Sequence, residues 1–444
     1  MRWRILTGLV AMGLLAAACT AGGGEEGAAP PAETSSDQEP VTLTMWVPFS
    51  GREYRDLAPV FEGFTEAYPW IKLDLRPGLG ENDEKMLAAI RAGNPPDAVM
   101  SWSLDSIAKF CQTGAWVDLQ PYMEQSGLDP SSVFPESVTR YTSFEDSNCA
   151  LPFLTDAMGL YYSTDMFEKA GLSEPPRTMS ELTDMAKELT QFNPDGSIKV
   201  AGFVPWFGYY EFTPLELSII WGADWYSDDG RSAVGSDSDW PALFEWQKEL
   251  VDFYGVDNLR RFVAGQGDEW SSANDFQNGR VAMMFDGEWR TAFIANDAPN
   301  LNYATAPYPV PDGRDDQYGL GRVGGTIVGI PRGSPHPAEA WLLVEYLATD
   351  TDALVYASNT IRNVPTTFEA LESPELDVTP QFQTFLDVFA HPESHYKDHS
   401  IIGSTDQDLV SGFGEDWQVG DVSNLQAGLD QVAQQIDDQV AQAG

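Results

Sequence analysis

The residues best suited to recognition chemistry come in small mixed groups of aromatic, acidic and amide or guanidinium side chains. Trp46 stands near Ser50, Arg52 and Glu53, and Trp102 stands near Asp105. Thr155 adjoins Asp156, and Trp206 is followed by Tyr209, Tyr210 and Glu211. Further along come Asp286-Gly287-Glu288-Trp289 and Arg362-Asn363. An aromatic face covers the C–H face of a pyranose, while carboxylates, guanidinium and amide groups pair with its hydroxyls. Carbohydrate is the ligand class that wants both chemistries. Any one of these groups is equally at home in a core or a loop, and most large rings fill cores.

Patterns for covalent chemistry are missing. The chain contains no GxSxG, no Walker A loop and no HExxH. Gly319-Leu320-Gly321-Arg322-Val323-Gly324 matches GxGxxG by string, but a polar loop precedes it and a strand pattern follows. A dinucleotide site needs a helix N-terminus there. His391, His395 and His399 lie four apart beside Glu393 and Asp398, a spacing that can bind metal on a helix, but Pro392 restricts that face. The chain is expected to be a binder and not an enzyme, with no metal and no cofactor. The rival from another class is a secreted carbohydrate-active enzyme, which would need two carboxylates at a fixed separation. Among so many acids, finding two is no evidence.

The charge balance narrows the partners. Across 444 residues, 25 Lys and Arg face 68 Asp and Glu, a net charge of −43. Nucleic acid and anionic lipid headgroups would repel such a surface. With 43% hydrophobic and 12% aromatic residues the chain can build a core, and its length calls for two domains or lobes. The acids that matter for a ligand are expected to be few, namely Asp105, Asp156, Glu211 and Glu288. The rest form a solvated surface.

The elements that must position these groups alternate. Residues 41–47 read as a strand, 54–68 as a helix ended by Pro69, and 71–75 as a second strand. A helix over 85–92, a buried strand over 97–102 and a helix over 103–113 capped by Gly114 follow. Strand patterns recur at 160–162 and 325–330, helices start near Ser180 and Pro337, and an amphipathic helix runs from Leu425 to Val440. Alternation of this kind makes parallel βα units, whose ligands bind beyond the carboxyl ends of strands. The polar–aromatic groups fall at such strand-to-loop positions.

The N-terminus reads as an address. Arg2 and Arg4 precede an apolar run over 5–18, too short to span a bilayer comfortably. It closes on Leu14-Leu15-Ala16-Ala17-Ala18-Cys19, which resembles the lipobox of bacterial lipoproteins, with Ala16 where Leu is usual. That resemblance implies a signal peptide over 1–18, lipidation of Cys19, a tether over 19–40 and membrane attachment through lipid alone. Loss of residues 1–18 removes two Arg and leaves the net charge at −45. Cys111 and Cys149 remain, and an exported pair most often forms a disulfide, with two buried thiols as the alternative.

Strings spread along the chain carry a wider resemblance. They include VTLTMWVPFSG, FEGFTEAYPWIKLDL, PPDAVMSW, LPFLTDAMGLYYSTDMFEKAGL, FQNGRVAMMFDGEW, GGTIVGIPRGSPHPAEAWLLVEYLAT and NVPTT. In order and spacing the chain resembles the extracellular solute-binding proteins of ATP-driven importers, of the maltose and multiple-sugar type. The resemblance implies an α/β fold of two lobes in the periplasmic-binding-protein style (type II), joined by a hinge the chain crosses more than once. The implied first lobe is 41–153 with 303–349, and the second is 154–302 with 350–444. The implied ligand contacts are Ser50, Arg52, Trp102, Asp105, Asp156, Tyr209, Tyr210, Glu211 and Trp289, to which the Arg362-Asn363 group adds Arg362 on its residue chemistry alone, and the family's C-terminal Trp falls on Trp417. Pro48, Ser50 and Gly51 stand where the maltose binder carries Asn, Asp and Lys, which argues against maltose itself. The implied protein is a monomer on the outer face of the cytoplasmic membrane that captures a sugar or oligosaccharide and hands it to a permease. A polyamine or peptide ligand in the same fold is the alternative. Binding of this kind asks for no perturbed titration.

Overall fold

The computed structural model describes residues 39–80, 83–145 and 147–443. The apolar leader, Cys19 and the tether up to residue 38 lie outside the described residues. Among the described residues no helix is long and apolar enough to cross a membrane.

The strands in chain order are β1 (Val41–Val47), β2 (Ile71–Pro77), β3 (Ala98–Ser101), β4 (Leu151–Ser163), β5 (Gln191–Phe192), β6 (Ile198–Val200), β7 (Met283–Gly287), β8 (Tyr303–Ala306), β9 (Val323–Gly329) and β10 (Val364–Pro365). β1 buries Leu43, Met45 and Val47 and pairs in parallel with β2 (Val41 opposite Ile71) and β3 (Met45 opposite Ala98). β9 then runs antiparallel between β3 and β4, giving the order β2-β1-β3-β9-β4-β10. The helix expected over 54–68 is divided at Leu57 into Gly51–Asp56 and Ala58–Ala67, with Pro59 in the first turn of the second, where its missing N–H costs nothing.

β4 joins the two lobes. Its first half, through Ala157, pairs with β9, and its second half pairs with β7 (Met158 opposite Gly287) and β8 (Leu160 opposite Ala306). Every β4 residue except Asp156 and Tyr162 is buried. A strand covered on both faces loses the alternation that marks a strand in sequence. Pro152 and Gly159 interrupt it further, so only 160–162 announces itself.

Packing departs from the expected lobe boundaries in two places. β8, placed by sequence in the first lobe, pairs with the second half of β4, and the loop after it stays with the second lobe. There Val310 N–H donates to the Arg177 carbonyl at 3.0 Å, and Arg314 Nη2 lies 2.6 Å from Asp239 Oδ1. The return crossing is therefore β9. The helix Thr351–Ile361, placed by sequence in the second lobe, packs on Gly51–Asp56, Ala58–Ala67 and Pro337–Thr349. Tyr356 Oη donates to the Asp56 carbonyl at 3.3 Å. Only from Pro380–Ala390 onward do the helices cover the second lobe, with Thr405–Val419 and Leu425–Ala443 packed against Asp239–Tyr254.

Aromatic rings fill both lobes. Phe110 stacks on Trp116 at 5.3 Å in the first. Trp225 meets Trp240 edge-on at 4.9 Å in the second, and Trp417 Nε1 is tied to the Phe244 carbonyl there at 3.0 Å. Trp417 thus serves helix packing.

Cys111 and Cys149 are bonded, with Cα atoms 5.4 Å apart. The bridge fastens the end of helix Ser106–Gln112 to the entry of β4. Closing a loop of about 39 residues restricts the unfolded chain, so the double variant Cys111→Ala/Cys149→Ala is expected to lose about 2–4 kcal/mol. Urea unfolding with fluorescence detection checks this; an unchanged midpoint would show that the bridge contributes nothing.

Candidate ligand-binding site

The site is built where β4 passes from one lobe to the other. Asp156 is the half-buried residue at mid-strand, and Asn363 Nδ2, just before β10, donates to its Oδ1 at 2.5 Å. The next residue, Ala157, sends its N–H 2.8 Å to Glu288 Oε2, on the turn after β7. Glu288 is wholly buried, and the negative charge of Asp156 acts on its carboxyl. One strand register thus brings together residues 131 positions apart.

Two guanidiniums sit among the acids. Arg322, entering β9, pairs with Glu216 of helix Pro214–Trp221, which also accepts from Tyr308 Oη at 3.2 Å. Arg290 is completely buried, one helical turn beyond Asp286, with Nε 2.6 Å from Asp286 Oδ2. Its Nη1 donates to the Glu269 carbonyl at 2.7 Å, and its Nη2 lies 3.5 Å from Glu269 Oε1. Glu269 also feels the negative charge of Glu211. From the first lobe, Arg52 reaches Asp297 at 3.3 Å and lies 4.3 Å over the Phe293 ring, so the loop after β1 touches helix Arg290–Asp297 of the second lobe. Glu53 beside it faces the same charges.

Burial dominates the electrostatics. Desolvation lifts Glu53 to about 7 against the pull of Arg52. It lifts Asp156 to about 6 in spite of Arg322 and the Asn363 amide. Glu211 rises to about 7 by burial, opposed chiefly by Arg322. Glu269 goes to about 9, by burial first and then by the negative charges of Glu211 and Asp286. Burial also raises Glu288 well above the ordinary carboxyl range, with Asp156 adding to it. Burial thus moves the carboxyls of the candidate cleft up toward neutrality, which sequence did not foresee.

The expected ligand contacts distribute unevenly. Asp156, Glu211 and Trp289 belong to this group, and Arg52 closes over its edge. Trp289 is 8% exposed; its ring lies on Gly287, where a Cβ would come within 2.2 Å of it, so only glycine leaves room. Ser50 is exposed at the start of Gly51–Asp56, and Trp102 is 40% exposed, edge-on to Phe49 at 5.3 Å. Tyr209 and Tyr210 are buried and anchor the loop: Tyr209 Oη donates to Asp275 Oδ2 at 2.7 Å and Tyr210 Oη to the Gly267 carbonyl at 3.1 Å. Tyr210 adopts a left-handed φ of 49°, which these contacts hold in place beside Glu211. Asp105 is committed to internal partners, accepting from Tyr396 Oη at 3.0 Å, Gln407 Nε2 at 2.8 Å and the buried Lys397 Nζ at 3.1 Å. Arg362 is drawn away to Asp377, 2.5 Å from its Oδ2, and its neighbour Asn363 joins the site instead. The three histidines share no helical face, because the helix ends at Ala390 before Pro392. His399 Nε2 instead meets the Tyr141 carbonyl at 3.0 Å.

Sequence reasoning missed Arg322, Arg290, Glu216, Glu269 and the 52% exposed Trp270, 6.2 Å from Trp289. Arg290 four residues beyond Asp286 was a readable pair. Arg322 sat in the discarded glycine string.

The model of one protein family, bacterial extracellular solute-binding protein, matches residues 50–353. The chain belongs to that family. This solute-binding protein is 24% identical over 339 residues to the maltotriose-binding protein of Pyrococcus abyssi, covering 75% of this chain and 69% of the relative. It is 31% identical over 237 residues to the sn-glycerol-3-phosphate-binding periplasmic protein of Brucella abortus, spanning about half of each chain (50% and 51%). In fold it is similar to CpMnBP1 solved with mannotriose bound, with a TM-score of 0.78 at 24% identity, covering 89% of this chain and 99% of that one. The two-lobed α/β architecture of the family is the one observed.

Carboxyls with raised values bind protons more tightly folded than unfolded. Their contribution to stability is full below the unfolded values near 4 and is lost as pH rises through about 6 to 9. The ligand-free protein is expected to melt at a lower temperature at pH 9 than at pH 5, and Glu269→Gln is expected to flatten that slope. Scanning calorimetry across this range decides it, and a melting temperature rising toward pH 9 would contradict the electrostatics described.

Proposed function

We propose that the protein is the substrate-binding component of an ATP-driven importer, capturing a sugar or oligosaccharide between its lobes and presenting it to a membrane permease. The observation that carries the reading is the convergence of Asp156, Glu211, Glu288 and Asn363 with Trp289 and Trp270 at the β4 crossing. Carboxyls, an amide and rings in one cleft suit polyhydroxyl rings with apolar faces. The relatives bind maltotriose or sn-glycerol-3-phosphate by name, and the fold neighbour was solved with mannotriose. The work is binding, not turnover: ligand favours the closed arrangement to the extent that it binds it better than the open one. Arg52 and Asp297, both part-exposed, supply a closure contact weak enough to release. Lipidation at Cys19 and residence outside the cytoplasmic membrane complete the proposal, supported by the leader sequence.

A calorimetric and thermal-shift panel of oligosaccharides, polyamines and peptides tests it. Saccharide at about 100 times its Kd is expected to add about 2.7 kcal/mol of stability, without product appearing in the incubation. Trp102→Ala and Trp289→Ala are each expected to weaken binding about tenfold. Stabilisation by polyamines or peptides alone, or release of shorter sugars, refutes the proposal.

A further inference from the structure

We propose that residues 394–407 pin the two lobes to each other, with the Lys397 ammonium as the pin, so that the ligand-free protein opens only by a small rocking of the lobes. The inference adds control of closure to the sugar-binding reading above, and its first test needs no ligand.

Residues 391–404 form no helix or extended strand between Pro380–Ala390 and Thr405–Val419. A connection of that length inside a compact fold is usually functional. Both flanking helices cover the second lobe, yet the segment between them reaches the first. Ser394 Oγ accepts from Gly321 N–H at 3.0 Å, and the His395 carbonyl accepts from Val323 N–H at 3.0 Å, which seats the segment beside the start of β9. His399 Nε2 then lies 3.0 Å from the carbonyl of Tyr141, in the first-lobe helix Glu136–Thr142.

Asp105 gathers the rest. It stands just before helix Ser106–Gln112 of the first lobe and takes three partners from the segment: Tyr396 Oη at 3.0 Å, Gln407 Nε2 at 2.8 Å and Lys397 Nζ at 3.1 Å. On its other side Lys397 Nζ lies 3.0 Å from Asp406 Oδ2, in the second-lobe helix Thr405–Val419, and that oxygen also accepts from Tyr226 Oη at 2.7 Å. The ammonium lies 5.2 Å over the Trp225 ring. The side chains of Lys397 and Asp406 have no exposure, and that of Asp105 has 13%.

One ammonium therefore neutralises a carboxylate of each lobe. An ion pair buried in this way depends on both partners, and removing one strands the other. Without Lys397, Asp105 and Asp406 become neighbouring like charges across the lobe boundary, relieved by water that enters as the lobes part. The solvated contact of Arg52 with Asp297 has no such dependence. Opening that keeps Lys397 in place must turn about it, which leaves a short arc.

Small-angle X-ray scattering of the purified protein, with and without mannotriose or maltotriose, tests this. The ligand-free wild type is expected to have nearly the radius of gyration of the saccharide-bound form. Lys397→Met is expected to expand the ligand-free protein and to weaken saccharide binding about tenfold, because the closed arrangement becomes the minor one. Asp105→Asn leaves Lys397 paired with Asp406; it is expected to expand the protein less, and it carries the same test if Lys397→Met does not fold. The double variant is expected to be no more open than Lys397→Met alone, since both changes act on one contact. A widely open ligand-free wild type, variants as compact as the wild type, or effects that simply add overturn the pin. If no saccharide binds, the sugar-binding reading fails, and the ligand-free comparison of wild type and variants still decides the pin.

Discussion

Two guanidiniums, Arg290 fully buried and Arg322 partly so, hold the centre of this molecule together. Arg322 and Arg290 neutralise Glu216 and Asp286 at the meeting of β4, β7 and β9, and so let further carboxyls be packed around them. Removing one partner from such a pair strands a buried charge and costs about 3–5 kcal/mol, although a well-packed apolar replacement of the whole pair can be neutral. The pairs are therefore poor evidence for stability in themselves. What they provide is a fixed frame around which Asp156, Glu211, Glu269 and Glu288 are gathered, Arg322 acting on Asp156, Glu211 and Glu288 and Arg290 on Glu269.

That frame coincides with the hinge. β4 belongs to both lobes, β9 returns the chain, and Asn363 before β10 hydrogen-bonds Asp156 from the third crossing. Under the proposed function, ligand groups that engage Asp156 and Glu288 would act on the strands that join the lobes. Contacts between the lobes divide into two kinds. Arg52 with Asp297 is solvated and light, whereas Lys397 between Asp105 and Asp406 is fully buried, with Tyr396 linking it toward Arg322. The first kind can open with little cost; the second keeps residues 395–407 attached to the start of helix Ser106–Gln112.

Much of the frame was legible in sequence, for reasons that particular residues show. β1 alternates cleanly because one face is covered and the other meets solvent or neighbours. β9 was legible from its glycines and β-branched run, since Gly325 would bring a Cβ within 2.4 Å of the Leu154 carbonyl. Most of β4 was hidden because burial on both faces removes the period, and a proline and a glycine break what remains. The site acids Asp156, Glu211 and Glu288 stood out by their aromatic neighbours. Arg322 and Glu269 did not, because their partners arrive from distant segments, Glu216 and Glu211, that only the fold brings near. Arg362 and Asn363 show the limit of local reading: the charged residue looked the better ligand, yet the backbone at φ 70° turns it to Asp377 and leaves the amide in the site. The titration of the site could not be read at all, since burial of each carboxyl is a tertiary property.

The central claim is that ligand is held at the β4 crossing between the lobes. A crystal structure with the tightest-binding saccharide of the panel tests it most directly. The account predicts ligand density against Trp289 and Trp270, with polar contacts to Asp156, Glu211 or Glu288. Density elsewhere, for example in the groove of about 600 Å³ lined by Ser126, Val133, Thr349 and Glu372, with the carboxyl cluster untouched, would contradict it.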